Sequence, residues 1–160
     1  MDKYIIAVLL LLLGISQVKS QDVRQIVIGT KYSLRSNILQ EDREYWISLP
    51  DSYNDKESSY KRYPVLIVLD GNLQFKPIAG MVNYMSSDVY RSWKIPEMIV
   101  VAIQNVDRRR DYTPDKVITV RENNTGGGDS FLSFLEDELL PELDQKFRTA
   151  PYRILFGHSL

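Results

Sequence analysis

Three stretches of this chain are apolar almost without interruption: YPVLIVLDG (63–71), PEMIVVAIQNV (96–106) and YRILF (152–156). A strand with one face in water alternates apolar and polar residues. A run without alternation is a strand covered on both faces, which is the situation of parallel sheets packed between helices. The first two runs are rich in Val and Ile, whose branched side chains suit a pleated surface. Between them, helical spacing predicts a helix over about 76–89, weakened by Gly80. Between the last two, FLSFLEDELLPELDQKF places Phe131, Leu135 and Leu139 at four-residue steps along one helix face. Asp129 or Ser130 stands where it could cap that helix, and Pro141 is expected to bend or divide it. Strand, helix, strand, helix, strand is the order of βαβ units with right-handed crossovers. The fold class is therefore α/β, a mostly parallel sheet with flanking helices.

Upstream, VRQIVIG (23–29) and REYWISLP (43–50) alternate well enough to be the strands of an N-terminal β-hairpin, with turn signals at Ser36-Asn37. DSYNDKESSYKR (51–62) and DRRRDYTPDK (107–116) read as charged, solvated loops, and NNTGGGDS (123–130) as the most flexible stretch. Asn123-Asn124-Thr125 matches a glycosylation sequon.

The length of 160 residues fits a single domain, and 44% hydrophobic with 26% charged residues is a globular composition. With 20 basic against 21 acidic residues there is no basic field to hold nucleic acid. The chain has no Cys and so no disulfide. Residues 1–20 are a separate object. Lys3 precedes the apolar run YIIAVLLLLLGI, and SQVKS then offers Val18 and Ser20 as the small residues of a cleavage site. An uncleaved anchor wants roughly 20 apolar residues, and this run is shorter. The expectation is a signal peptide over 1–20, cut after Ser20, and a secreted or periplasmic domain over 21–160 with no stable membrane anchor.

The last apolar run leads directly into Gly157-His158-Ser159-Leu160. A buried strand followed by Gly-x-Ser is the first part of a nucleophile elbow, G-x-S-x-G, in which a serine is held up on a sharp strand-to-helix turn. The plain alternative is an ordinary turn with Ser159 as a helix cap.

From about residue 39 to residue 160 the chain resembles an esterase family of the α/β-hydrolase superfamily. That family holds esterase D, the antigen 85 mycolyltransferases and the enterobactin-type siderophore esterases. The matching pieces, in order, are REYWISLPDSY, YPVLIVLDG, MIVVAIQN followed by RRRDYTP, GGGDSFLSFLEDELLPELDQKFRT, and RILFGHSL. The resemblance implies a truncated α/β-hydrolase fold, with 21–160 as the N-terminal part of one hydrolase domain. It implies Ser159 as nucleophile, with backbone N–H groups of Asn72 and Leu160 forming the oxyanion hole. In the superfamily the acid and the histidine follow the serine in chain order, so His158 reads as an elbow packing residue and not as the base. Arg108 and Tyr112 are candidates for a substrate loop, against the reading of that loop as solvated and self-paired. Arg110 and Asp111 are candidates for a structural role beside the site.

The implied reaction is hydrolysis of a carboxylic ester through an acyl-enzyme, on a small-molecule, glycan or siderophore ester. Acyl transfer of the mycolyltransferase type and a non-catalytic binding protein on the same fold are the alternatives. No metal-ligand cluster is visible and the reaction needs no cofactor; the sequence carries no signal of oligomeric state. In the family further strands follow the elbow strand, so 21–160 alone would leave YRILF as an exposed apolar edge. That piece alone is expected to be insoluble or molten, and inactive.

Overall fold

The computed structural model describes residues 24–87, 94–117 and 124–159. The expected signal peptide, Asn123 of the sequon and Leu160 lie outside the described residues.

Five strands form one sheet in the order β1-β2-β4-β3-β5. The hairpin strands are β1 (Thr30–Ser36) and β2 (Glu41–Ser48); the three apolar runs supply β3 (Tyr63–Val68), β4 (Ile99–Ile103) and β5 (Thr149–Phe156). β3 pairs in parallel with β4 and with β5, and the hairpin joins antiparallel through β2 and β4. The absence of alternation in the runs has the expected cause. Val65 and Ile67 of β3, with Ile99, Val101 and Ile103 of β4, face Phe131, Phe134, Leu135, Leu139 and Leu143. Leu66 and Val68, with Val100 and Ala102, face Phe75, Ile78, Ala79 and Val82 of the helix α1 (Gly71–Ser86). Each large apolar side chain so buried contributes about 1.5–3 kcal/mol of transfer free energy. β5 is less covered than its composition implies: among the described residues it pairs with β3 alone, and Tyr152 and Leu155 are exposed.

Two boundaries differ from expectation. α1 starts at Gly71 and not near 76, directly after β3 and Asp70. β1 is TKYSLRS and not VRQIVIG; residues 24–29 carry no regular structure, and Ile26 and Val27 are exposed. The hairpin register is fixed from elsewhere. Gln40 takes a left-handed φ of 56° in the turn. The Glu138 carboxylate accepts from the Ser36 hydroxyl at 2.5 Å and from the N–H groups of Asn37 and Ile38 at 2.8 and 3.2 Å. A carboxylate from a helix thus holds the hairpin turn.

The helical stretch on the hairpin side is continuous. α3 (Gly128–Ser133) passes into a π-helical segment, Phe134–Leu139, and then into α4 (Leu140–Lys146). Pro141 does not divide it, since Leu139 and Leu140 keep right-handed helical dihedrals. A π segment usually occurs as a single wide turn inside an α-helix, and here it lies just upstream of the proline that lacks an N–H. Gly127 occupies the cap position without a side-chain bond, so neither Asp129 nor Ser130 is the cap.

The segment read as a charged loop is a short helix, α2 (Arg108–Tyr112), capped by Asp107, which accepts from the Arg110 N–H at 3.0 Å. Of its charges Arg109 is exposed, whereas Asp111 is buried and Arg108 and Arg110 are paired. The Arg43 guanidinium, 1% exposed, donates to Asp111 at 2.7 Å and to Glu41 at 2.8 Å, over the rings of Phe131 and Phe134. Arg110 pairs with Glu41 and Asp111. These ion pairs join β2 to α2 and fix α2 at the carboxyl end of β4.

Candidate active site

Three segments meet where β3, β4 and β5 end, the edge at which open α/β sheets bind ligands. The first is Asp70 and the opening turn of α1. Asp70 is buried and left-handed, with φ 54° and ψ 44°, a conformation that Asp and Asn tolerate better than other non-Gly residues. The residue after it has to be glycine. A Cβ on Gly71 would sit 2.7 Å from the Ile103 carbonyl oxygen and 2.8 Å from the Ala102 carbonyl carbon. Only a bare backbone lets α1 begin this close to β4. The Asp70 carbonyl accepts from the N–H groups of Leu73 and Gln74, both at 2.9 Å. The Asn72 N–H comes earlier in the turn, among the helix N–H groups that have no intrahelical acceptor.

The second segment leaves β4 through Asn105 into α2. The third leaves β5 through Gly157 and His158 to Ser159, which is exposed and has φ 52°. A serine with positive φ at the end of a strand is strained backbone, of the kind that persists where surrounding structure enforces it. The three segments enclose a cleft of about 360 Å3 with Asn72, Asn105, Arg108, His158 and Ser159 in its wall.

Hydrogen bonds tie the segments together. Arg108 donates through Nε to Asp70 Oδ1 at 2.7 Å and through Nη2 to Oδ2 at 3.1 Å. The same Nη2 donates to the carbonyls of His158 and Ser159, at 3.3 and 2.8 Å. Asn105 Nδ2 donates to Asp70 Oδ1 at 2.7 Å. The Tyr112 hydroxyl accepts from the Asp70 N–H at 3.3 Å and donates to Asn105 Oδ1 at 2.9 Å. The Arg108 guanidinium, with help from Asn105, holds the Asp70 carboxyl below its ordinary range against the opposing effect of burial. The Asp70 carboxylate raises Arg108 in return, and burial pushes the Tyr112 hydroxyl up. The pair is charged on both sides and nearly neutral in sum.

Of the residues singled out in the sequence, Ser159, Asn72 and Arg108 line one cleft. Tyr112 points its hydroxyl at Asp70 and Asn105. Its other side faces an apolar cavity of about 260 Å3 between Leu69, Phe131, Leu135 and Leu155. Leu160 is outside the described residues. His158, expected to pack, is instead exposed on the cleft wall. Asp70 and Asn105 were missed. Their signal was position: each is a polar residue just past the end of a buried run. Among the described residues, no group of three or more His, Asp and Glu side chains is placed to hold a metal ion, and no helix is long and apolar enough to cross a membrane.

A mixed sheet of this order, with polar side chains gathered at the strand ends around a left-handed serine, is an α/β-hydrolase-like protein. More narrowly, the chain belongs to the Putative esterase family, whose profile matches residues 36–160. It is 27% identical over 113 residues to the ferri-bacillibactin esterase BesA of Bacillus subtilis, a match covering 61% of this chain and 39% of that protein. Among solved structures it is similar to an IroE-like serine hydrolase from Shewanella oneidensis, at TM-score 0.73 and 36% identity, covering 81% of this chain and 42% of that one. The BES protein of Bacillus cereus superposes at TM-score 0.68 with 26% identity, covering 87% and 55%. The chain therefore spans about two fifths of the length of the first two relatives.

Proposed function

We propose that this chain carries the nucleophile and both oxyanion-hole donors of a serine esterase. The observation that carries the reading is Ser159 itself, exposed at φ 52° just past β5 and sharing a cleft with the first turn of α1. In this scheme Ser159 Oγ attacks the ester carbonyl carbon and gives its proton to a base. Chain order in the superfamily places that base after the serine. The carbonyl oxygen becomes an oxyanion, held by the Asn72 N–H and by the N–H of Leu160. Donors fixed in place before reaction are worth about 3–4 kcal/mol each in barrier height. The tetrahedral intermediate collapses, the alcohol leaves with the proton, and water then releases the acid from the acylated serine.

For the substrate we propose a siderophore ester, a reading supported by the likeness to a ferri-bacillibactin esterase. The exposed Asn72 side chain in the cleft wall suits an ester flanked by hydrogen-bonding groups. Export through residues 1–20 belongs to the same proposal, supported by the apolar run behind Lys3 and the small residues that follow it.

The test is covalent labelling of the complete gene product with a fluorophosphonate probe, beside hydrolysis of p-nitrophenyl acetate. Wild-type protein should label and turn over, and Ser159→Ala should do neither. Equal labelling of the two proteins sinks the serine reading.

A further inference from the structure

We propose that Asp70, acting through Arg108, is the positioning residue that keeps the first turn of α1 and the Ser159 bend in one register. The inference rests on the serine reading above and adds a role that the reaction itself does not require.

Every polar atom of Asp70 is already committed within the protein. Its N–H goes to Tyr112, its carbonyl takes Leu73 and Gln74, and its carboxylate takes Arg108 and Asn105. Both carboxylate oxygens are engaged by the protein's own side chains, Oδ1 by Arg108 and Asn105 and Oδ2 by Arg108, which favours a positioning role over a catalytic one. Its left-handed backbone sets where Asn72 stands, since α1 begins at the next residue.

Arg108 supplies the other half of the connection. Its Nη2 reaches the carbonyls of His158 and Ser159, the strained bend itself. A planar guanidinium can hold a carboxylate through two nitrogens and still present a fixed N–H to a second acceptor; a lysine ammonium has no such fork. The oxyanion donor and the nucleophile come from segments far apart in sequence, and here one ion pair spans them. The arrangement also answers the choice left open by the sequence. Arg108 lines the cleft, but its charge is balanced by Asp70 and not offered to an anionic substrate.

The experiment uses the complete gene product, with kcat counted per serine that reacts with the fluorophosphonate probe, so misfolded molecules drop out. Asp70→Asn keeps the shape and the tolerance for a left-handed backbone; Arg108→Ala opens a hole. Each should lower kcat roughly 10²-fold, the cost of displacing a reacting group by about an ångström. KM should stay within about twofold, because ground-state binding is untouched. The double variant should be no worse than either single, since both break one connection. Added guanidinium ion should restore part of the activity of Arg108→Ala but not of the double variant.

The clamp is overturned by near wild-type kcat in either variant, by additive losses, or by a rescue that does not need Asp70. A variant that loses labelling counts for the clamp if its melting temperature is unchanged, and against it if the fold has collapsed. Wild-type protein that takes no label refutes the serine reading, and the clamp falls with it; labelled wild type beside indifferent variants refutes the clamp alone.

Discussion

Two glycines in α1 give the sharpest test of how the cleft is built. Gly71 has no room for a side chain. Ordinary contact begins near 3.4 Å, whereas an added Cβ would meet the Ile103 carbonyl oxygen at 2.7 Å and the Ala102 carbonyl carbon at 2.8 Å. Both atoms are backbone of a central strand and cannot rotate aside, so α1 has to retreat by the difference, 3.4 − 2.7 = 0.7 Å. Overpacking of this kind costs about 1–3 kcal/mol. A shift approaching 1 Å in a reacting group costs on the order of 10² in rate. Gly80 lies on the same helix, exposed, with nothing within 4 Å of its added Cβ. There alanine removes the entropic penalty of glycine and should add about 0.5–1 kcal/mol of stability. Urea midpoints followed by tryptophan fluorescence should therefore move in opposite directions for Gly71→Ala and Gly80→Ala. The fluorophosphonate labelling rate should fall only for the former. Equal midpoints would refute the packing. A lowered midpoint with an unchanged labelling rate would remove the first turn of α1 from the reaction centre.

Other outcomes are expected from the charges that hold α2 and the hairpin. Arg43→Ala leaves Asp111 buried beside fewer partners and should cost about 3–5 kcal/mol in urea denaturation. Arg43→Met combined with Asp111→Leu should recover most of that loss, and a double variant as weak as Arg43→Ala would contradict the reasoning. Burial raises the Glu138 carboxyl, but bonds from Ser36, Asn37 and Ile38 outweigh it and leave it below its ordinary 4.5. A depressed carboxylate stabilises the fold above its unfolded value, and that stability is lost as pH falls through the folded value. Glu138→Gln should therefore flatten the fall of stability on acidification below 4.5; an unchanged acid profile would show that the hairpin turn does not depend on this carboxylate.

The central sheet was legible because β3 and β4 are buried on both faces, and continuous burial writes itself into continuous apolar sequence. β1 was not, because an edge strand buries little. TKYSLRS turns only Tyr32, Leu34 and Ser36 inward, while the more strand-like VRQIVIG stays outside the sheet. The true register depends on Glu138, about a hundred residues away, and no local pattern reports it. The start of α1 was hidden for a similar reason. Gly71 and Pro77 lower helix propensity, yet Gly71 is demanded by the packing against β4. At the site, Ser159 stood out by its place after a buried run, and Asn72 only through the family resemblance. Asp70 and Asn105 look like ordinary turn residues until three chain segments are brought together. Arg108, Arg110 and Asp111 read as solvated because their partners, Asp70, Glu41 and Arg43, are distant in sequence.

The π-helical segment at Phe134–Leu139 bears on how this fold can vary. Phe131, Leu135, Leu139 and Leu143 recur at every fourth residue and all are buried. On a regular α-helix with 3.6 residues per turn, that spacing drifts steadily around the cylinder. One wider turn in the middle winds the drift back and keeps all four on the sheet side. The two ends of the helix are thereby phased to one another through a single surplus residue. Shortening the stretch by one position would swing one half of the stripe towards water, so length variation in this family should be tolerated in the loops around it and resisted here.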